Sequence, residues 1–486
     1  MKNHFWPAAL LLGLLLPAAA HAQGTVRRHL IYFQDKNGTP YSVAEPQQFL
    51  SARALARRSK QGIAIKPRDL PVNPTYVAQV RAVSGNPQVR YTSRWLNAAV
   101  VACDSATLAR IYQLPSVKGG QTLSTTPQPP RPAPAVQPSP AAKPAEANRA
   151  TYGKAYAQDE LIGAVAMHAA GYRGEGMQIA VFDAGFPGAD QVGPLQLMQQ
   201  QNRVAGTRNF VDGGRSVYQR NSHGTNCLGL IGGELPGTYV GTAPHATFHL
   251  CITEDVGSEY PVEEANWLAA AEYADSVGVD VISSSLGYNT FDQPATPHTY
   301  ADLNGRTAIG SLAALGAARV GMVVVNSAGN DGSSAWHYIG VPADADSIIT
   351  VGAVDSLRQH AGFSSYGPTA DGRLKPTLSA MGVASAVLSP AGTVVRGNGT
   401  SYACPELAGL VAGFWQANPT LTAQEVIGAL CRSASQAQHP DNSLGFGIPN
   451  FEAAQALLRA QPPRTAPKPG RKPVSQPQPR SSRPRA

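Results

Sequence analysis

Gln178-Ile179-Ala180-Val181-Phe182-Asp183-Ala184-Gly185 decides the fold of this 486-residue chain. Ile179 to Phe182 are apolar without alternation, which suits a strand covered on both faces and argues against a hairpin with one wet side. Similar runs return at 245–252, 279–283, 321–325 and 347–351, with helical stretches at 261–277 and 306–319 between them. Strand, helix, strand repetition predicts an α/β architecture: a parallel sheet flanked by helices on both faces, with right-handed crossovers. Residues just beyond the carboxyl ends of such strands meet where ligands bind. Asp183 is one of them.

Moving outward, the chain divides by composition. Lys2, the apolar stretch 8–16 and the small-x-small site Ala20-His21-Ala22 read as a secretory signal over 1–22, so the mature protein is expected to be secreted. No stretch reaches the length of a membrane span, so no transmembrane anchor is expected. Residues 24–123 read as a small α+β unit. Its strands are 28–33, 89–103 and 117–122. A helix over 46–60 buries Phe49, Ala52, Leu55 and Ala56 with Arg53, Arg57 and Arg58 outward, a second spans 74–83, and a third spans 105–112 with Ser105 as its cap. Residues 124–150, rich in Pro, Ala and Gln, form an extended linker. The main domain covers 151–457, and 461–486 is a basic, Pro-rich tail expected to be disordered.

The formal net charge of +8 excludes less than it suggests. Arg464, Lys468, Arg471, Lys472, Arg480, Arg483 and Arg485 crowd the tail without an acid or an aromatic among them, so it reads as a solvated segment and no nucleic-acid partner is expected. The five cysteines, Cys103, Cys227, Cys251, Cys404 and Cys431, are too few for a disulfide scaffold, and their odd number leaves at least one thiol unpaired within the chain. No Cys-x-x-Cys pair supports a structural zinc site.

The chemistry lies in three stretches in chain order: Asp183 after its strand, His223-Gly224-Thr225, and Gly399-Thr400-Ser401-Tyr402-Ala403-Cys404-Pro405. A serine hydroxyl needs a base to take its proton, an imidazole suits that task near neutrality, and a carboxylate behind it fixes the tautomer. Ser401 opens a small-residue helix over 402–415, which brings a backbone N–H and the positive helix end to a developing oxyanion. Pro405 is read as falling in the first turn.

In these motifs and their order the chain resembles the subtilisin-like serine peptidases, over roughly 159–457. The resemblance implies Ser401 as nucleophile, His223 as general base and acid, and Asp183 as orienting carboxylate. It also implies that Asn330, in Val323-Val324-Val325-Asn326-Ser327-Ala328-Gly329-Asn330, donates its amide to the oxyanion. Ser285, Leu286 and Gly287 then pair a peptide substrate as an added strand, and Gly340 lies near the base of the primary pocket, leaving room for a large apolar P1 residue. The α+β unit is similar to the propeptides of the family, which plug the active site until cut away. The implied partners are therefore protein or peptide substrates and the chain's own propeptide.

No cofactor is required by this chemistry. Calcium is open as a family expectation, since Asp190, Asp212, Asp344 and Asp346 are available but no loop spells a calcium motif. Ala184 stands where many relatives carry Ser or Thr, and Cys227 lies one helical turn from His223. Two other readings use the same residues: an esterase or amidase, and a silent, protease-like binding protein contacting partners through its Pro-rich and basic ends. Silent relatives usually lose a catalytic residue, and none is lost here.

Overall fold

The computed structural model describes residues 25–124 and 147–460. The signal segment, residues 125–146 of the Pro-rich stretch, and the basic tail lie outside the described residues.

The first unit runs β1 (Arg27–Phe33), α1 (Ala52–Lys60), α2 (Pro74–Ala82), β2 (Gln88–Ser93), β3 (Ala98–Cys103), α3 (Ser105–Ile111) and β4 (Val117–Ser124). The stretch read as one strand over 89–103 is two, and they pair with each other. Asp104, not Ser105, caps α3, its carboxylate accepting the N–H of Thr107. The strands form an antiparallel sheet in the order β2-β3-β1-β4. Period-two alternation splits its side chains between two cores. Ile31, Phe33, Ala99 and Val101 pack with Val77, Val80 and Ile111 of α2 and α3, whereas Leu30, Ala98 and Val100 face the second unit.

The second unit begins with α4 (Ala147–Tyr152), α5 (Tyr156–Leu161) and α6 (Ala164–Ala169), followed by β5 (Gln178–Asp183), α7 (Gly193–Gln200), β6 (Val204–Asn209) and α8 (His223–Gly232). A short ribbon, β7 (Glu234–Leu235) with β8 (Tyr239–Val240), leads to β9 (Thr247–Ile252), α9 (Val262–Val277), β10 (Val281–Ser284), α10 (Ile309–Arg319), β11 (Val323–Ser327), β12 (Ile349–Val354) and β13 (Leu378–Met381). The hairpin β14 (Ser385–Leu388) and β15 (Val394–Gly397) precedes α11 (Thr400–Ala417), α12 (Ala423–Ser433) and α13 (Phe451–Arg459).

Seven of these strands make one parallel sheet in the order β13-β12-β11-β10-β5-β9-β6. Its two faces belong to two cores, as the unbroken apolar runs require. Ile179 and Val181 pack toward α8 and α11, while Ala180 and Phe182 pack toward α9 and α10. Trp267 of α9 meets Phe182 edge to face, with ring centroids 5.2 Å apart.

The two units meet across α9, and here one sequence expectation fails. Arg57 and Arg58 do not point outward: both are buried, together with Arg94, on the carboxylate of Asp275, at 2.5, 2.6 and 2.6 Å. Beside them Glu272 accepts bonds from the Ser93 hydroxyl and the backbone N–H groups of Arg94 and Trp95. Arg53 pairs with Asp280 at the margin. The expected faces are inverted: Ala52 and Ala56 are exposed and Phe49 and Leu55 only half-buried, because a second, acidic helix covers the arginine side. The three guanidinium groups outweigh burial and hold the Asp275 carboxyl below its usual range.

Candidate active site

Strands β11, β10 and β5 are neighbours, so the residues that follow them arrive side by side at one edge of the sheet. Asp183 ends β5, Ser285 follows β10 and Asn330 follows β11. Helices α8 and α11 pack beneath this edge and bring His223 and Ser401 to it.

Asp183 is fully buried and receives the backbone N–H of Ala184 at 2.7 Å. Its two oxygens lie 2.9 and 3.0 Å from Nδ1 of His223. A carboxylate there keeps the proton on Nδ1 and leaves the Nε2 lone pair able to accept one. His223 is the first residue of α8, with its backbone N–H accepted by the Asn221 side chain at 2.8 Å. The next residue must be glycine: a Cβ on Gly224 would lie 2.4 Å from the Gly185 carbonyl oxygen and 2.9 Å from Asp183 Cβ. Close approach of α8 to β5 thus sets the carboxylate–imidazole distance.

The imidazole is 28% exposed, so it is open to solvent on the side away from Asp183. Burial opposes its charged form, yet the adjacent Asp183 carboxylate holds the pKa well above the ordinary histidine value. Cys227 adds little at neutral pH, because burial pushes its thiol up and keeps it protonated. Its Sγ sits 3.8 Å from His223 Nδ1 and 3.5 Å from the Ser401 carbonyl oxygen. Asp183, His223 and Cys227 therefore present a carboxylate, an imidazole and a thiol together, a set that would suit a soft metal ion. The Tyr402 ring lies against the imidazole, centroids 6.0 Å apart.

Helix α11 starts at Thr400, so Ser401 is its second residue and Pro405 its sixth. Pro405 is thus inside the helix and not in its first turn. A proline there removes the N–H that the carbonyl of Ser401 would accept. That carbonyl finds other donors: the Ser285 hydroxyl at 2.8 Å and the Cys227 thiol. Ser285 was read from sequence only as a substrate contact, and this second bond of its side chain is not visible in any motif. Cys404 is buried filler, its thiol directed at the carbonyls of Ser284 and Val325.

Asn330 is exposed on the same rim. Its Oδ1 accepts the backbone N–H of Thr400 at 2.9 Å and the Thr400 hydroxyl at 3.0 Å. Since a backbone N–H can only donate, the amide orientation is fixed and Nδ2 is left as a free-facing donor. The two proposed substrate segments are joined through Tyr288, whose N–H and C=O pair with Val341 at 2.7 and 3.0 Å. Leu286 and Gly340 are buried beside this pairing, and Gly287 is exposed.

The remaining sequence candidates disperse. Asp212 pairs with Arg220, and Asp344 accepts the Gly305 N–H and the Ser311 hydroxyl. They do not gather with Asp190 and Asp346 into a cluster among the described residues. A cluster missed by sequence, Glu254, Glu259 and Glu263, lies in the segment after β9. Burial pushes Glu254 up to about 7, while the Tyr288 hydroxyl donates to it. All five cysteines are free and buried.

A buried carboxylate, an imidazole and a serine at a helix start, gathered at the carboxyl edge of a seven-stranded parallel sheet, define a serine-type hydrolase fold. Comparison with known proteins agrees. The subtilase family model matches residues 174–447, and a model described as the peptidase S8 propeptide domain of Bacteroidota matches 28–135. Subtilisin DY of Bacillus licheniformis is 32% identical over 302 residues, covering 60% of this chain and 96% of that protein. Subtilisin E of Bacillus subtilis strain 168 is 33% identical over 300 residues, 60% of this chain and 69% of its own length. An alkaline protease of Alkalihalobacillus alcalophilus is 30% identical over 292 residues, 60% and 67% respectively. The chain belongs to the subtilase family and is a serine-type endopeptidase with an N-terminal propeptide domain.

Proposed function

We propose that this is a secreted endopeptidase made as a zymogen, in which Ser401 attacks the scissile carbonyl of a peptide. His223 takes the Ser401 proton through Nε2 and returns it to the leaving amine; Asp183 holds the tautomer and stabilises the imidazolium. The oxyanion of the tetrahedral intermediate accepts bonds from Nδ2 of Asn330 and the backbone N–H of Ser401, and one such donor is worth about 10²–10³ in turnover. The acyl-enzyme is then hydrolysed by water activated by the same histidine. The substrate backbone lies along Ser285, Leu286 and Gly287, and a large apolar P1 side chain enters beside Gly340.

The observation that carries this reading is the bidentate contact of Asp183 with His223 Nδ1, 2.9 and 3.0 Å, within a helix packing that puts Ser401 on the same rim. The propeptide domain acts as an intramolecular inhibitor until the chain between β4 and α4 is cut by the enzyme itself. Secretion follows from the signal over 1–22, and no helix among the described residues is long and apolar enough to cross a membrane. N-terminal sequencing of the protein recovered from the medium tests the proposal: wild type should begin within 124–150, and Ser401→Ala should remain an uncut precursor. A Ser401→Ala protein processed at the same site and rate by itself would contradict it.

A further inference from the structure

Charge is divided along this chain in blocks. Residues 24–124 hold 14 Lys and Arg against 4 Asp and Glu, residues 151–460 hold 14 against 26, and residues 461–486 hold 7 against none. An acidic peptidase unit is thus flanked by two basic segments. The first is seated on it through α9, and the second, the tail, lies beyond the residues that either family model matches.

That seat is a guanidinium site already filled in the structure. Among the described residues, every side chain that bonds the Asp275 carboxylate belongs to the first unit: Arg57, Arg58 and Arg94. Glu272, three residues earlier and on the same side of α9, is served by Ser93, Arg94 and Trp95 of that unit. Both carboxylates are buried while the first unit is in place, and both lose these partners when it leaves. Asp280 loses Arg53 and keeps the Gln178 N–H. Departure therefore uncovers a face that takes guanidinium groups and strips it of the ones it held.

The tail starts close to this face. It follows α13, which packs on α12, and the N–H of Ala423 at the start of α12 is accepted at 2.9 Å by Gln61, the residue that ends α1. Helix α1 is the one that carries Arg57 and Arg58. The 26 residues of the tail reach about 86 Å when extended, against a diameter of roughly 50 Å for a unit of this size. We infer that residues 461–486 dock on the Glu272–Asp275 face of α9 once the propeptide domain leaves it, and compete with that domain for the face. The inference rests on the proposed release of the propeptide. In the uncut chain the propeptide domain is tethered too and also buries Leu30, Ala98 and Val100, so it holds the face. Cutting the linker removes its tether and leaves the tail's intact. A tethered tail has an effective concentration of about 1 mM, so a tail Kd of about 0.1 mM weakens propeptide binding roughly tenfold.

The test uses the full chain carrying Ser401→Ala, with a recognition sequence for an added protease placed between residues 125 and 146. Release then does not depend on the chain's own processing. Three proteins are compared: this parent, the same chain ending at Ala460, and a full-length chain whose seven tail Lys and Arg are changed to Gln. After cutting, dissociation of the propeptide domain is measured at about 0.05 M and about 1 M salt. At low salt the parent should hold the domain about tenfold more weakly than either variant. The three should converge at high salt, where the Debye length falls to about 3 Å. In the parent freed of its propeptide domain, a carbodiimide should couple Lys468 or Lys472 to Glu272, Asp275 or Asp280 of the same chain. Equal retention in all three proteins at low salt would overturn the inference, as would coupling only to other acids or only between two chains. A chain with Ser401 intact that fails to cut itself would count against the proposed function and leave this comparison unchanged.

Discussion

Asp275→Asn should loosen the propeptide domain without harming the peptidase domain that carries the residue. In the structure three guanidinium groups of the first unit, from Arg57, Arg58 and Arg94, converge on this one fully buried carboxylate. Removing one partner of a buried ion pair costs about 3–5 kcal/mol, because the opposite charge stays buried. The lower end applies here. Arg58 keeps Asp69 at 3.1 Å, Arg94 keeps the Glu272 carbonyl at 3.0 Å, and Arg57 keeps the carbonyls of Val279 and Val320. About 3 kcal/mol corresponds to a loss of roughly 150-fold in affinity. The assay is inhibition of peptide hydrolysis by added propeptide domain, comparing processed wild type and Asp275→Asn, with thermal unfolding of each processed enzyme as control. The inhibition constant should rise at least about 100-fold, while the unfolding free energy changes by no more than about 0.5 kcal/mol, as for a surface residue. A rise below about fivefold would refute the assignment of this charge cluster as the main lock between the units.

Three further outcomes follow from the site. Ser285→Ala removes the hydroxyl that serves the Ser401 carbonyl in place of the missing Pro405 N–H; a net loss of about 1 kcal/mol should lower kcat about fivefold with KM little changed, and Ser285→Thr should restore it. The active form of His223 is neutral, and Asp183 holds its pKa above 6.5, so kcat/KM should be low at acid pH and rise through a midpoint above 6.5; a rate constant flat from pH 5 to 8 would speak against a histidine base. An organomercurial should inactivate the enzyme through Cys227, 3.8 Å from the imidazole, and Cys227→Ala should be active and resistant in a titration of residual activity.

What the sequence made legible follows from how each feature is encoded. The central strands β5, β9, β10, β11 and β12 are unbroken apolar runs because they are covered twice, and all five were predicted within a few residues. The sheet margins were missed. Val204–Asn209 is an edge strand with mixed polar residues and partial exposure, and Leu378–Met381 is only four residues long, so neither carries the periodicity of a core strand. The meeting of Asp183 with His223 was foreshadowed because each lies in a local motif, and close packing at Gly224 brings the two together. The cover on Arg57 and Arg58 and the second role of Ser285 were not readable. Each depends on contact between segments more than a hundred residues apart.

The most direct measurement of the central claim is covalent labelling by a fluorophosphonate, which traps a serine activated by its neighbours. After labelling of the processed enzyme and peptide mapping by mass spectrometry, the adduct should lie on Ser401, and it should be absent from Ser401→Ala and strongly reduced in His223→Ala. An adduct on another serine, or undiminished labelling of folded Ser401→Ala, would contradict the account.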